Sequence, residues 1–323
     1  MKASIEFLAL LGSFLAGASP TAADPLQYPK GPIRIVVALS AGSTADATAR
    51  AIAAPLSRTL GQPVIVENKP GADGAIAAEA VRTATPDGSI LLLGQSTAMV
   101  GVPLTRKRPP YDPRTDFTPV SFIGRFTTGL FARPDIPAQT LADVVTYARS
   151  NPGKLSYATN SVTEAIVGAQ IAKSAGITMV RVPYRGPAAV LPDLLAGRLQ
   201  LAFISASAGL PYVGDGRLRA LATLLPRRSP ALPDVPTFIE AGYPNVTITP
   251  WFGFFGPPNM PTGIGERLSH EINILLDQPE IRTQLGRQLV EAQASTPEAL
   301  LTFVKQEMES WQRAVRESGI ELE

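Results

Sequence analysis

Apolar positions alternate along the chain between two rhythms. Ile33, Ile35, Val36, Val37 and Leu39 form a short, β-branched run, the pattern of a strand buried on both faces. Small polar residues follow at once, and from Ala45 the apolar positions Ala45, Ala49, Ile52, Ala53, Leu56 and Leu60 recur at helical spacing. Pro55 should interrupt this first helix, at a cost of roughly 3 kcal/mol if it lies in the interior. Gly61-Gln62-Pro63 turns the chain into a second strand, Val64 to Glu67, and Asn68-Lys69-Pro70-Gly71 is a turn. Ala75 to Ala84 is helical, Pro86-Asp87-Gly88 is a turn, and Ile90 to Leu93 is a third buried strand ending in Gly94-Gln95-Ser96-Thr97. Strand and helix alternate, so the sheet should be largely parallel.

A second alternating unit begins near Arg133. Leu155 to Ala158, Thr178 to Val182, Arg198 to Ile204 and Leu218 to Thr223 read as strands, with helices at Thr163 to Ser174 and Pro187 to Ala196. After the Pro-rich stretch Pro226 to Pro236, the aromatic run from Trp251 to Phe255, closed by Gly256-Pro257-Pro258, reads as a strand returning to the first unit. The rest is helical: Ile264, Leu268, Ile272 and Leu275 form one stripe. Thr296 caps a second, with Pro297 at its first position, through Leu300, Val304, Met308, Trp311 and Val315. The expected organisation is two α/β domains, residues 24–128 with 250–323 and residues 129–249, joined by two crossings that act as a hinge. That is the build of a protein that closes on a small ligand.

Small-polar segments follow the strands of both units. Ser40, Gly42, Ser43, Thr44 and Asp46 lie where the first strand hands over to a helix, a place suited to anions. The first helical NH groups lack intrahelical partners and carry the positive end of the dipole, and glycine admits close approach. Helix capping by Ser43 or Thr44 explains the same residues. Ligands of open α/β sheets bind beyond the carboxyl ends of the strands, so Ser96 and Thr97 should share that edge. The second unit offers Asn160, Ser161 and Thr163, then Tyr184, Arg185 and Gly186, then Ser205. Ser161 with Glu164 also has the spacing of a capping box. Arg185 either faces the cleft as a counter-charge or lies outside it. Asp46 would repel an anion unless it turns away to hold the loop or meets a ligand amine.

Composition narrows the chemistry. At 323 residues, with 45% apolar and 17% charged residues, the chain has enough material for two full cores. A net charge of +2 with scattered basic residues argues against nucleic acid. The first loop has neither the lysine of a Walker motif nor the glycine spacing of a dinucleotide site. Without cysteine, and with His270 off the apolar stripe of its helix, thiol, Ser-His-Asp and zinc chemistry have little to work with, and no metal or cofactor is expected. Residues 1–23 have the layout of a secretory signal: Lys2, an apolar Phe7 to Ala16, and Thr21-Ala22-Ala23 before Asp24. With no cysteine, neither lipoprotein anchoring nor a disulfide is possible, so the mature chain should be freely soluble in a bacterial periplasm.

Several segments resemble the Bug-type solute-binding receptors of tripartite tricarboxylate transporters. They include Gly42 with Asp46 and Arg50, then Gly61-Gln62-Pro63-Val64-Ile65-Val66-Glu67-Asn68-Lys69-Pro70-Gly71-Ala72-Asp73-Gly74, and Pro86-Asp87-Gly88. Val182-Pro183-Tyr184-Arg185-Gly186, Arg227-Arg228-Ser229-Pro230-Ala231-Leu232-Pro233-Asp234-Val235-Pro236-Thr237 and Trp251-Phe252-Gly253 continue the series. The resemblance implies a two-domain periplasmic binding fold of type II-like build, closing on a small carboxylate and serving a membrane permease; the chain is expected to be monomeric. It places the carboxylate between Ser40 to Asp46 and Thr159 to Thr163. The chain departs from the family in both loops. The first is poorer in Pro and Gly. The second is about two residues shorter and lacks the usual glycines and the following His, with Glu164-Ala165 in their place. A frequent Asp is also replaced near Ile204-Ser205. These departures bear on the ligand. A sensor that signals to a membrane protein, and an enzyme using Asp46 or Glu164, are the competing readings.

Overall fold

A computed structural model describes residues 28–184 and 187–322; the signal sequence expected at residues 1–23 and the positions Arg185 and Gly186 lie outside the described residues. In chain order, β1 (Ile33–Val37), α1 (Thr44–Leu60), β2 (Val64–Asn68), α2 (Ala75–Arg82) and β3 (Ile90–Gln95) build the first unit. A π-helical turn, Thr97–Gly101, runs into α3 (Val102–Thr105), followed by β4 (Thr118–Phe126) and β5 (Thr128–Ala132). The second unit continues with α4 (Leu141–Ser150), β6 (Ser156–Thr159), α5 (Val162–Ala175), β7 (Val180–Pro183), α6 (Pro187–Leu195), β8 (Leu201–Ser205), α7 (Ala206–Gly214) and β9 (Arg219–Thr223). The chain ends through β10 (Trp251–Gly256), α8 (Thr262–Asp277), α9 (Pro279–Arg287), β11 (Val290–Ala292) and α10 (Pro297–Ser318).

Two sheets result, ordered β11-β4-β10-β3-β1-β2 and β7-β6-β8-β5-β9. Strands β1, β2, β3 and β4 run one way and β10 and β11 the other; in the second sheet only β5 is reversed. The mainly parallel expectation therefore holds in strand direction. The reversed strands β5 and β10 are those that enter their sheets directly from the other half, and this makes the hydrogen-bonded pairing mixed. The first crossing is Phe126 to Thr128, and Pro250, at the end of the second, accepts a hydrogen bond from the Phe126 NH at 3.1 Å.

Helix α1 is continuous through Pro55, contrary to the interruption expected from sequence. Its face Ala49, Ile52, Leu56 and Leu60 is buried, Pro55 with it. Burying such side chains contributes about 1.5–3 kcal/mol each, enough to offset one missing backbone bond. The aromatic strand β10 lies between β4 and β3, with Trp251, Phe252, Phe254 and Phe255 buried on its two faces. The indoles of Trp251 and Trp311 both donate to Glu307 Oε2, at 3.1 and 3.2 Å, pinning α10 over β10. Helix α10 lies against β4 of the first sheet and against α5 of the second unit, where Lys173 Nζ donates to the Glu317 carbonyl at 2.8 Å.

Gly74 joins β2 to α2 at φ 95°, and a Cβ there would stand 2.7 Å from the Ala98 Cβ and 3.1 Å from the Ala38 Cβ. Ala38 follows β1 and Ala98 lies in the π turn, so Gly74 lets both segments close on one another. Gly74→Ala should destabilise the protein by about 1–3 kcal/mol in urea unfolding. An unchanged unfolding midpoint would show that this contact does not hold the two segments.

Candidate functional site

The carboxyl ends of β1 and β3 share one edge of the first sheet, since Val37 pairs with Leu93. The ends of β6 and β8 share an edge of the second, with Ala158 opposite Ala202. These edges meet. Thr44 Oγ1, at the start of α1, lies 3.1 Å from Ser207 Oγ at the start of α7. Thr97 Oγ1, in the π turn after β3, lies 2.7 Å from Thr163 Oγ1 at the start of α5, and both residues are buried. Three helix N-termini and the π turn thus converge on one cleft, the placement that orients unpartnered NH groups and positive dipole ends toward a ligand.

The loop after β1 is held from within. Gly42 takes φ 80°, and Ser43 caps α1, its Oγ accepting from the Asp46 NH at 3.3 Å. Asp46, at the third position of α1, turns back: Oδ2 accepts from the Gly42 NH at 2.9 Å, and the carboxylate takes Arg50 Nε at 3.1 Å and Asn68 Nδ2 at 3.0 Å. Asp46 therefore holds the loop, one of the alternatives open from sequence. Burial alone would raise its carboxyl. The hydrogen bonds from Arg50, Gly42 and Asn68, with the Arg50 charge, outweigh burial and hold it below the usual range.

The loop after β6 is built the same way. Glu164, at the third position of α5, accepts from the NH groups of Asn160 and Ser161 and from Asn160 Nδ2 at 3.0 Å. This forms the glutamate half of the capping box that the sequence suggested. Burial pushes the Glu164 carboxyl up to about 8 against the lowering effect of these hydrogen bonds, and the charge of Asp73 adds to the rise.

The other sequence candidates divide. Ser40 sits exposed in the first loop, its carbonyl accepting from the Ser43 NH at 3.2 Å. Ser96 is buried at the start of the π turn. Ser205 precedes α7, but Ser207 is the hydroxyl that meets the first half. Tyr184 commits its hydroxyl to Asp193 at 2.6 Å, and Asp193 also binds Arg198, so the tyrosine is tied to α6. His270 is exposed on α8. Among the described residues no cluster of His, Cys, Asp and Glu could hold a metal ion. No helix among them is long and apolar enough to cross a membrane.

Two α/β halves facing each other across opposed strand ends define the class of solute-binding receptors. Residues 48–320 match the tripartite tricarboxylate transporter family receptor, and the chain belongs to that family. Protein BugT of Bordetella pertussis is 33% identical over 328 residues, covering 98% of each chain. The structure of R. palustris Rpa4515 with adipate superposes with a TM-score of 0.85 at 31% identity, covering 91% of this chain and all but 1% of that one, 99%. MatC from Rhodopseudomonas palustris with bound malate has a TM-score of 0.79 at 29% identity, covering 89% of this chain and 100% of that one. The family is one of receptors, and the periplasmic binding protein BugD is a further neighbour, at 30% identity and a TM-score of 0.82 over 91% of this chain and 99% of that one; these are binding proteins rather than enzymes.

The two loop carboxylates predict opposite pH dependences. Asp46 is depressed on folding, so its contribution is present above about pH 4 and is lost as pH falls below that. Glu164 is raised to about 8 on folding, so its contribution is present below about pH 4.3 and is lost as pH rises toward 8. Urea unfolding between pH 5 and 8 should show stability falling with pH more steeply in the wild type than in Glu164→Gln. Parallel profiles would remove this assignment. Asp46→Asn, which turns an amide toward donors, should cost about 1.5–3 kcal/mol at pH 7.

Proposed function

We propose that this chain is a periplasmic receptor that captures a small carboxylate in the cleft between its two α/β domains and delivers it to a membrane permease of the tripartite tricarboxylate type. The observation that carries the reading is the pair of cross-cleft hydroxyl contacts, Thr44 with Ser207 and Thr97 with Thr163, set at the N-termini of α1, α7 and α5. An anion between them gains helix NH groups, dipole ends and hydroxyls. Hydrogen bonds to an ionised group contribute about 1.5–3 kcal/mol each, so four or five approach the roughly 8 kcal/mol of a micromolar complex. Relatives carrying adipate and malate support the ligand class.

In this reading the ligand-binding set is Ser40, Gly42, Ser43, Thr44, Ser96, Thr97, Asn160, Ser161, Thr163 and Ser205, with Asp46 shaping the loop and Tyr184 at its margin. Residues 1–23 direct export and are removed, residues 24–128 with 250–323 and residues 129–249 are the two moving domains, and the mature protein acts as a monomer.

Calorimetric titration of the mature protein against mono-, di- and tricarboxylates, acidic amino acids and aromatic acids should give micromolar binding of one chemical group. Thr44→Leu should lower that affinity at least about tenfold while leaving the melting temperature within a few degrees. A folded protein that binds none of them would refute the receptor reading, and unchanged affinity in Thr44→Leu would refute this placement of the site.

A further inference from the structure

The two halves of the cleft treat negative charge differently. In the first half the Asp46 carboxylate likewise takes the Gly42 NH, but Arg50 and Asn68 compensate it, so a cation stands beside that junction. In the second half Glu164, only 6% exposed, draws the NH groups of Asn160 and Ser161 and the Asn160 side-chain amide onto its own carboxyl. Those are the donors that a carboxylate arriving at the α5 junction would need. None of the ion pairs formed among the described residues includes Glu164. Asp73, in the turn between β2 and α2 of the opposite half, adds further negative potential at this point.

From this arrangement we infer that the cleft selects a monocarboxylate, whose carboxylate goes to the α1 junction and whose far end, facing α5, is uncharged and able to donate a hydrogen bond. The inference rests on the carboxylate-receptor reading and narrows it. A diacid would bring its second carboxylate against donors already filled by Glu164. It would lose water there and compete with Glu164 for those donors, beside a carboxyl rather than the arginine that stands at the α1 junction. Selectivity of this kind comes from what the site refuses as much as from what it accepts.

Length-matched pairs test it by calorimetry at pH 7: 4-hydroxybutanoate with butanedioate, 6-hydroxyhexanoate with hexanedioate, and 4-hydroxybenzoate with benzene-1,4-dicarboxylate. In the pair that binds, the hydroxy acid should be at least about tenfold tighter in the wild type. Glu164→Gln keeps an acceptor for the loop NH groups and sets an amide where Oε1 accepts from Asn160, which frees the Asn160 side-chain amide as a donor. It should raise the affinity of the diacid relative to its hydroxy acid at least about tenfold. The wild-type comparison decides the matter even if that variant does not fold. A diacid that binds as tightly as its hydroxy acid overturns this inference and leaves the receptor reading standing. No binding in any pair by folded protein overturns both.

Discussion

Asp46 and Glu164 occupy the same position, third in their helices, and each reaches back to the NH two residues before the first helical residue, Gly42 in one half and Asn160 in the other. A strand that ends at a sheet edge must release its chain into a helix within a few residues, and the NH groups of that junction need acceptors. Here the acceptor is a buried side chain from the helix itself. Each junction is thereby fixed before any ligand arrives, and the hydroxyls of Thr44 and Thr163 are carried on backbone that is already ordered. Preorganisation of this kind lowers the ordering cost that a ligand would otherwise bear.

Much of the architecture was legible from residue pattern. The β-branched runs of β1 and β3, the stripes of α1 and α10 and the returning strand β10 follow from burial periodicity, because each is decided by a long contact with one core. Shorter or atypical elements were not. The segment after β3, Ser96 to Gly101, reads as loop because a π turn has no simple sequence period. Helix α7 opens on Ala206-Ser207-Ala208-Gly209, small residues without a stripe. Helix α4 carried a usable signal, the box of Thr140 with Asp143, where the Asp143 carboxylate accepts from the Thr140 NH at 2.9 Å.

The candidate site was legible in location and not in wiring. Strand-end loops rich in Ser, Thr and Gly could be placed on one edge by topology alone. Which hydroxyl faces which across the cleft depends on how the halves dock, and no local pattern carries that. Tyr184 illustrates the limit: its place beside a strand end suggests a ligand contact, while the nine-residue reach to Asp193 along α6 sets the direction of its hydroxyl.

Helix α10 leaves the first sheet and comes to rest on α5, where Lys173 holds its last turn. The two halves are consequently linked by two crossings of the chain and also by a packed helix pair. Separation of the halves cannot be a free swing about two strands, since helix must slide on helix as the cleft widens. Any opening of the two halves would therefore carry a shear component where α5 packs on α10.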